Sequence, residues 1–128
     1  MTLAPRDLVP MFTVTNALDG IVVGYQDVWQ RRNLVLVMVP DNDSTGTAYT
    51  KSLIDAAPTL AADDTVFVVT SNPIPGIPSP GVVVADRWGE IYYLKGAGRA
   101  VDLPTPGDLA GWLRYVQSEC PECQGEAR

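Results

Sequence analysis

Two continuous apolar runs flank a segment with helical periodicity, and this arrangement restricts the fold more than any other feature of the sequence. The first run is NLVLVMVP at residues 33–40, and the second is TVFVVT at residues 65–70. Runs of β-branched and aliphatic residues without polar alternation are typical of strands buried on both faces. Between the runs, apolar residues recur near the helical period from Tyr49 to Leu60, and Pro58 is expected to end or kink that helix. The sequence therefore predicts a β-α-β unit.

Hairpin patterns and a final helix surround this unit. Asp19-Gly20 supplies turn chemistry to a hairpin at the start of the chain, and VVVADRWGEIYYL predicts a second hairpin at residues 82–94. The last helix has a predicted N-cap at Thr105, with Pro106 at its first position and Asp108 placed for a capping box. Its apolar face recurs at i, i+3, i+4 and i+7, and consists of Leu109, Trp112, Leu113 and Val116.

Charge and composition exclude several classes of function. The 128 residues have a formal net charge of −6, which opposes binding to nucleic acid or to an anionic membrane. The chain has no histidine, so imidazole-based triads and histidine-ligated metals are excluded. No run reaches the roughly 18 apolar residues of a membrane span, and the N-terminus lacks the pattern of a secretory signal. We therefore expect one α/β domain in the cytoplasm.

The predicted order of elements is similar to that of thioredoxin-like proteins. The stretch FTVTNALDGIVVGYQDVWQRRNLVLVMVP resembles the opening of a redoxin domain of the peroxiredoxin (alkyl hydroperoxide reductase/thiol-specific antioxidant) type, and VVVADRWGEIYYL resembles its later hairpin. The resemblance covers residues 8–117. It implies a thioredoxin-like fold with a central mixed sheet, an N-terminal β-hairpin and flanking helices.

The resemblance also implies that the standard catalytic site is missing. Peroxiredoxins share a P-x-x-x-T-x-x-C motif after the buried strand, and its cysteine lies in the first helical turn, where the helix dipole stabilises a thiolate. The matching stretch here is PDNDSTGT, in which Pro40 fits, Ser44 replaces the threonine and Thr47 stands at the cysteine position. A threonine hydroxyl cannot form a sulfenic acid. For the cis-proline of thioredoxin-like proteins the candidate is Pro80, which could equally be an ordinary turn proline.

The only two cysteines, Cys120 and Cys123, form a C-x-x-C pair in an acidic tail. We expect them to lie just past the end of the last helix, where the helix dipole is negative and Glu119, Glu122 and Glu126 are close. Both effects oppose a thiolate and raise a thiol pKa. The pair could act as a redox disulfide, remain as free thiols, or bind zinc, which commonly takes four ligands. The remaining zinc ligands would have to be carboxylates or the cysteines of a second copy of the tail, which would require a homodimer.

The stretch VLVMVPDNDSTGT also resembles the first motif of haloacid-dehalogenase-like phosphatases. That resemblance implies Asp41 as nucleophile, Asp43 as general acid, Thr45 as a phosphate contact and Mg²⁺ as cofactor. The stretch VFVVTSN resembles the second motif of that family, a strand that ends in Thr or Ser, here Thr70. The resemblance fails where a lysine should follow the second motif, because none lies between Thr70 and Asp86. Asp, Ser and Thr are also the usual helix-capping residues, so a capped helix start explains the same stretch.

The sequence therefore predicts a thioredoxin-like domain at residues 1–117 and an acidic tail at residues 118–128. The first hypothesis is a thiol–disulfide oxidoreductase or antioxidant protein that acts through Cys120 and Cys123, needs no cofactor, and exchanges with protein thiols or a thiol reductant. The second is a non-catalytic binding or assembly module. The third is the magnesium-dependent phosphatase.

Overall fold

The computed structural model describes residues 3–60 and 64–127, and for residues 59 and 119–127 it describes the backbone alone. The strands are β1 (Thr13–Thr15), β2 (Val22–Gly24), β3 (Asn33–Met38), β4 (Thr65–Thr70), β5 (Gly81–Ala85) and β6 (Ile91–Gly96). The helices are α1 (Gly46–Leu60) and α2 (Pro106–Ala127), with short 3-10 helices at Tyr25–Asp27 and Ala100–Asp102. No helix that the structure describes is long and apolar enough to cross a lipid bilayer.

The central sheet is mixed, as predicted. Its strand order is β4-β3-β5-β6, and β1 and β2 form a separate antiparallel hairpin. Strand β3 pairs in parallel with β4 and antiparallel with β5, and β5 pairs antiparallel with β6. A parallel pair needs a crossover connection, and α1 provides it. The predicted β-α-β unit, both hairpins and the closing helix are therefore confirmed.

The side chains of β3 alternate between two separate cores. Val35 and Val37 pack with residues of α1 and α2 on one face of the sheet. Leu34 and Leu36 pack on the other face with residues of the N-terminal hairpin and the proline-rich loop. Every residue of β3 is buried. A strand with a core on each face has no solvent-facing position, which explains why this stretch lacks polar alternation.

The predicted start of α2 is confirmed. The Asp108 N–H donates to Thr105 Oγ1 at 3.2 Å, and the Thr105 N–H donates to Asp108 Oδ2 at 3.3 Å, which is a capping box. Leu109, Leu113 and Val116 are buried in the core as expected. The helix therefore packs against the sheet by the face that the sequence indicates.

Of the two expected helix ends, that of α2 is wrong, and that of α1 lies two residues beyond Pro58. Helix α1 does not end at Pro58 but continues to Leu60, whose buried side chain helps to offset the backbone bond that the proline cannot make. Helix α2 continues to Ala127, so Cys120 and Cys123 do not lie past its end. Residues 118–127 are rich in Glu and Gln, which have high helix propensity. The backbone of both cysteines belongs to the last two turns of α2, and their side chains lie outside the described part.

Candidate functional site at the start of helix α1

The position that the peroxiredoxin motif assigns to the attacking cysteine lies in the first turn of α1. Strand β3 ends at Met38, the chain turns through residues 39–45, and α1 begins at Gly46. The turn is tight, since the Asp43 N–H donates to the Pro40 carbonyl at 3.1 Å. A Cβ atom on Gly46 would lie 2.7 Å from Val39 Cγ1, so glycine allows the helix start to pack closely against the turn that precedes it. Thr47 follows and is exposed.

Thr47 faces a cleft of about 370 Å³ beside the C-terminal ends of β3 and β4. The wall from α1 consists of Thr47, Thr50, Lys51 and Ile54, which follow the i, i+3, i+4, i+7 spacing of one helix face. Lys51 was not among the predicted site residues, although its spacing of four residues from Thr47 places it on the same helix face. The opposite wall includes Ala17 of the β1–β2 connection and Thr70 at the end of β4.

The Asp43 carboxylate is occupied by bonds within the chain. Its Oδ1 accepts from the Thr45 N–H at 2.8 Å and from Thr45 Oγ1 at 2.6 Å, and its Oδ2 accepts from the Ala100 N–H at 2.7 Å. The hydrogen bond from the Thr45 hydroxyl is the main cause of a lowered Asp43 pKa, and the backbone donors and the Arg99 charge act in the same direction while desolvation opposes them. Asp43 therefore fastens the start of α1 to the Ala100–Asp102 helix, and its ionised form is the favoured one.

This arrangement does not favour the phosphatase interpretation. Asp41, Asp43 and Thr70 do line one cleft. However, a general acid must hold a proton, which the bonds to Asp43 disfavour. Thr70 is buried, and its hydroxyl exchanges hydrogen bonds with Asn72, at 3.2 Å to Asn72 Oδ1 and 3.0 Å from the Asn72 N–H. Within residues 3–60 and 64–118, no cluster of three or more Cys, Asp or Glu side chains is placed to hold a metal ion.

A second cleft of about 580 Å³ adjoins the same turn on its other side. It is lined by Ser44, Pro80 and Arg99, and it shares Pro40 and Asp43 with the first cleft. The Ser79–Pro80 peptide bond is cis. The structure therefore brings Pro40, Ser44, Thr47 and Pro80 to one edge of the sheet.

The tail begins at the opposite edge of the sheet. The Gln117 amide donates to the Asp64 carboxylate oxygens at 3.1 and 3.2 Å, and the Asp64 carbonyl accepts from the Asn33 N–H at 2.7 Å. Both Asp64 and Asn33 lie at the N-terminal ends of the parallel strands β3 and β4. At about 3.3 Å per strand residue, the two edges are roughly 16 Å apart along β3. Within one chain, α2 therefore carries the C-x-x-C pair away from Thr47.

Comparisons with solved structures identify the fold. No family model matches the sequence, and no curated protein does. Among solved structures, a reduced 2-Cys peroxiredoxin of Plasmodium vivax superposes with a TM-score of 0.69 at 10% identity, over 89% of this chain and 96% of that one. A yeast mitochondrial 1-Cys peroxiredoxin gives 0.65 at 11% identity, over 91% and 78%. The thioredoxin domain of a Bacteroides vulgatus thiol-disulfide oxidoreductase gives 0.60 at 13% identity, over 89% and 98%.

These superpositions establish the thioredoxin-like fold that the resemblance implied. They extend over most of each chain, and the neighbours include both peroxiredoxins and thiol–disulfide oxidoreductases. At such low identity they establish the fold alone.

Proposed function

We propose that this chain is a thioredoxin-fold thiol–disulfide protein that exchanges its Cys120–Cys123 pair with the thiols of a partner protein or of a small thiol reductant. The observation that carries the proposal is that the chain keeps the fold of thiol proteins, while its only two sulfhydryl groups are three residues apart in one helix. Helical geometry places Cα atoms at i and i+3 about 5 Å apart. That separation lies within the range that disulfides span.

The exchange step is the usual one for a dithiol. The thiolate of one cysteine attacks a sulfur of the partner disulfide, and a mixed disulfide forms as the partner releases its other sulfur as a thiolate. The second cysteine then attacks the mixed disulfide, so the chain becomes oxidised and the partner leaves as a dithiol. A thiol reductant then reduces the Cys120–Cys123 disulfide, so that the dithiol is restored and the reductant becomes a disulfide. The negative end of α2 and the neighbouring glutamates disfavour the thiolate, so we expect this exchange to be slow at neutral pH.

The test is a redox equilibration of the reduced chain. The protein is held in dithiothreitol or glutathione buffers of graded potential, and free thiols are counted from the mass added by an alkylating agent. We expect both thiols to disappear in one transition. The oxidised chain before alkylation should weigh two hydrogens less than the reduced chain, as a disulfide within the chain requires. Cys120→Ser and Cys123→Ser should each abolish that transition, whereas Thr47→Ala should leave it unchanged. Two thiols that stay free in every buffer would refute the redox function.

The second candidate is a non-catalytic binding or assembly module on the same fold. The bonds that occupy the Asp43 carboxylate and the hydroxyl at Thr47 favour it, because the position of the peroxidatic cysteine offers no thiol. In this case the tail cysteines either stay free or hold one zinc ion between the tails of two chains. Zinc analysis and sedimentation of the reduced protein distinguish these outcomes. A zinc-dependent dimer that is lost in Cys120→Ser would replace the redox proposal by the assembly one.

Compartment and remaining partners follow from this proposal. Cytoplasmic thiol pools would keep Cys120 and Cys123 reduced between exchanges. The net charge of −6 makes nucleic acid and anionic membranes unsuitable partners.

Hydrolysis of p-nitrophenyl phosphate with Mg²⁺, if lost in Asp41→Asn, would instead support the phosphatase hypothesis.

A further inference from the structure

A groove of about 720 Å³ lies between β6 and α2. This volume is typical of sites that bind small organic molecules. Its walls contain four aromatic side chains, one carboxylate and an open glycine, which are Tyr92, Tyr93, Trp112, Tyr115, Asp108 and Gly111. The residues from α2 follow the spacing i, i+3, i+4, i+7, so the helix has a second functional face next to its core face.

The aromatic rings of the groove form a connected set with changing orientation. Tyr93 and Trp112 stack with centroids 4.6 Å apart and planes 19° from parallel. Trp112 and Tyr115 lie 5.8 Å apart at 86°, and Tyr92 and Tyr115 lie 6.0 Å apart at 68°. Because neighbouring rings are steeply inclined to each other, the aromatic walls of the groove face in different directions. Tyr115 remains 48% exposed, so this cluster is not closed off as core.

Gly111 has no structural explanation in the packing of the chain. It lies inside α2, where glycine is roughly 1 kcal/mol less favourable than alanine. A Cβ atom at this position would have no described heavy atom within 4 Å, apart from the helix itself and its chain neighbours. Close packing therefore does not require glycine here. What the missing side chain does provide is free space in the groove, between Asp108 and Trp112.

The uncompensated charge of the groove is negative. Arg6, which lines the groove, forms an ion pair with Glu90 at 2.7 Å. Asp108, which also lines the groove, makes no ion pair in the part of the chain that the structure describes, and its Oδ2 accepts only the N-cap bond from Thr105. Burial and then the charge of Asp108 raise the pKa of Tyr93, which indicates that the carboxylate acts on the aromatic cluster.

We propose that this groove binds a small organic cation with a quaternary ammonium head group. Aromatic rings attract such cations through the negative potential of their faces, and recognition of choline-like groups by several rings is a known use of this interaction. Asp108 adds a full negative charge, and Gly111 leaves room for the bulky head group. The groove shares no lining residue with the two clefts around Thr47.

Choline is the probe, and its neutral isostere 3,3-dimethylbutan-1-ol is the matched control ligand. Each is titrated into the full chain by calorimetry, with tryptophan fluorescence as a second readout. Since both ligands have the same shape, the difference between them isolates the charge, and we expect choline to bind at least about tenfold more tightly. Equal affinity of the two ligands, or no heat and no fluorescence change with choline at tens of millimolar, would overturn the proposal.

Two variants locate the site. Gly111→Ala should weaken choline binding at least roughly fivefold by filling the groove, although it should raise the melting temperature because alanine favours the helix. Asp108→Asn, which keeps an acceptor for the cap, should weaken choline but not the neutral alcohol. Ser118→Ala, exposed on the same helix beyond the groove, is the control and should bind as the unaltered chain does. Unchanged choline affinity in both Gly111→Ala and Asp108→Asn would place any binding elsewhere.

Discussion

Replacing Asn16 with alanine tests whether a single buried amide fastens the N-terminal hairpin to the central sheet. Asn16 is 5% exposed and follows β1 directly. Its Nδ2 donates to the Phe67 carbonyl at 3.0 Å, and its Oδ1 accepts from the Val69 N–H and the Leu18 N–H, both at 3.1 Å. The side chain therefore takes the place of a neighbouring strand along the outer edge of β4.

The expected loss follows from the bonds that the substitution leaves unpaired. Two of the three bonds, those to Phe67 and Val69, are buried, and each buried group without a partner costs about 1–3 kcal/mol. Water that enters the vacated space would recover part of this. We therefore expect Asn16→Ala to lower the free energy of unfolding by about 2–4 kcal/mol.

The assay is urea unfolding at 25 °C, followed by circular dichroism and fluorescence. The matched control is Asn72→Ala, because Asn72 Oδ1 also accepts two bonds, from the Thr15 N–H at 2.8 Å and from the Thr70 hydroxyl at 3.2 Å, but Asn72 is exposed. Water can reach both donors from the exposed side, and the Thr70 hydroxyl keeps its bond from the N–H of residue 72, so the control should lose less than about 1 kcal/mol. Equal losses in the two variants, at an unchanged denaturant slope, would show that burial of the Asn16 amide does not hold the hairpin.

Three further predictions concern the site and the helices. In a chain without Cys120 and Cys123, Thr47→Cys should react with an alkylating agent or peroxide at least about tenfold faster than Thr50→Cys, because only the former lies at the helix N-terminus; equal rates would refute this. Burial raises the Tyr49 pKa to about 12 from 10.0, so the stability that the neutral hydroxyl contributes should be present below pH 10 and lost as the pH rises through 12. The check is to measure the free energy of unfolding against pH for the unaltered chain and for Tyr49→Phe, and the same dependence above pH 10 in both would contradict the expectation. Thr105→Ala should cost about 1 kcal/mol of unfolding free energy through the lost cap, and Thr105→Ser should cost much less; an equal cost in urea unfolding would argue against capping.

The parts of the fold that the sequence predicts are those that depend on local pattern. The run from Asn33 to Met38 predicts a strand with two buried faces because every position in it must avoid water. The Thr105–Asp108 capping box predicts the start of α2 for a similar reason, since both partners are close in sequence. The end of α2 was not predictable in this way, because Pro121 suggests a break while the glutamates around it favour a helix.

The candidate site was predictable only where one element carries it. Thr47 could be placed because strand, turn and helix follow one another directly. The role of Asp43 could not, because its Oδ2 bonds to Ala100, which is 57 residues away in sequence. The neighbouring residues alone suggest that Asp43 is the general acid of a phosphatase. In the folded chain its carboxylate instead accepts hydrogen bonds from Thr45 and Ala100. The groove beside α2 was missed for the same reason, since Tyr92 and Tyr93 come from another element.

In the proposed thiol protein, the two halves of a peroxidatic site, a helix N-terminus and a cysteine, lie on different helices. The N-terminus of α1 offers the positive dipole end that stabilises a thiolate, but Thr47 provides only a hydroxyl there. The backbone of Cys120 and Cys123 belongs to the last turns of α2, where the dipole is negative. A peroxidase needs both halves at one place, so one chain alone should not reduce peroxide rapidly. Exchange with a partner has no such need, because the partner can supply a reactive disulfide or a low-pKa thiol of its own.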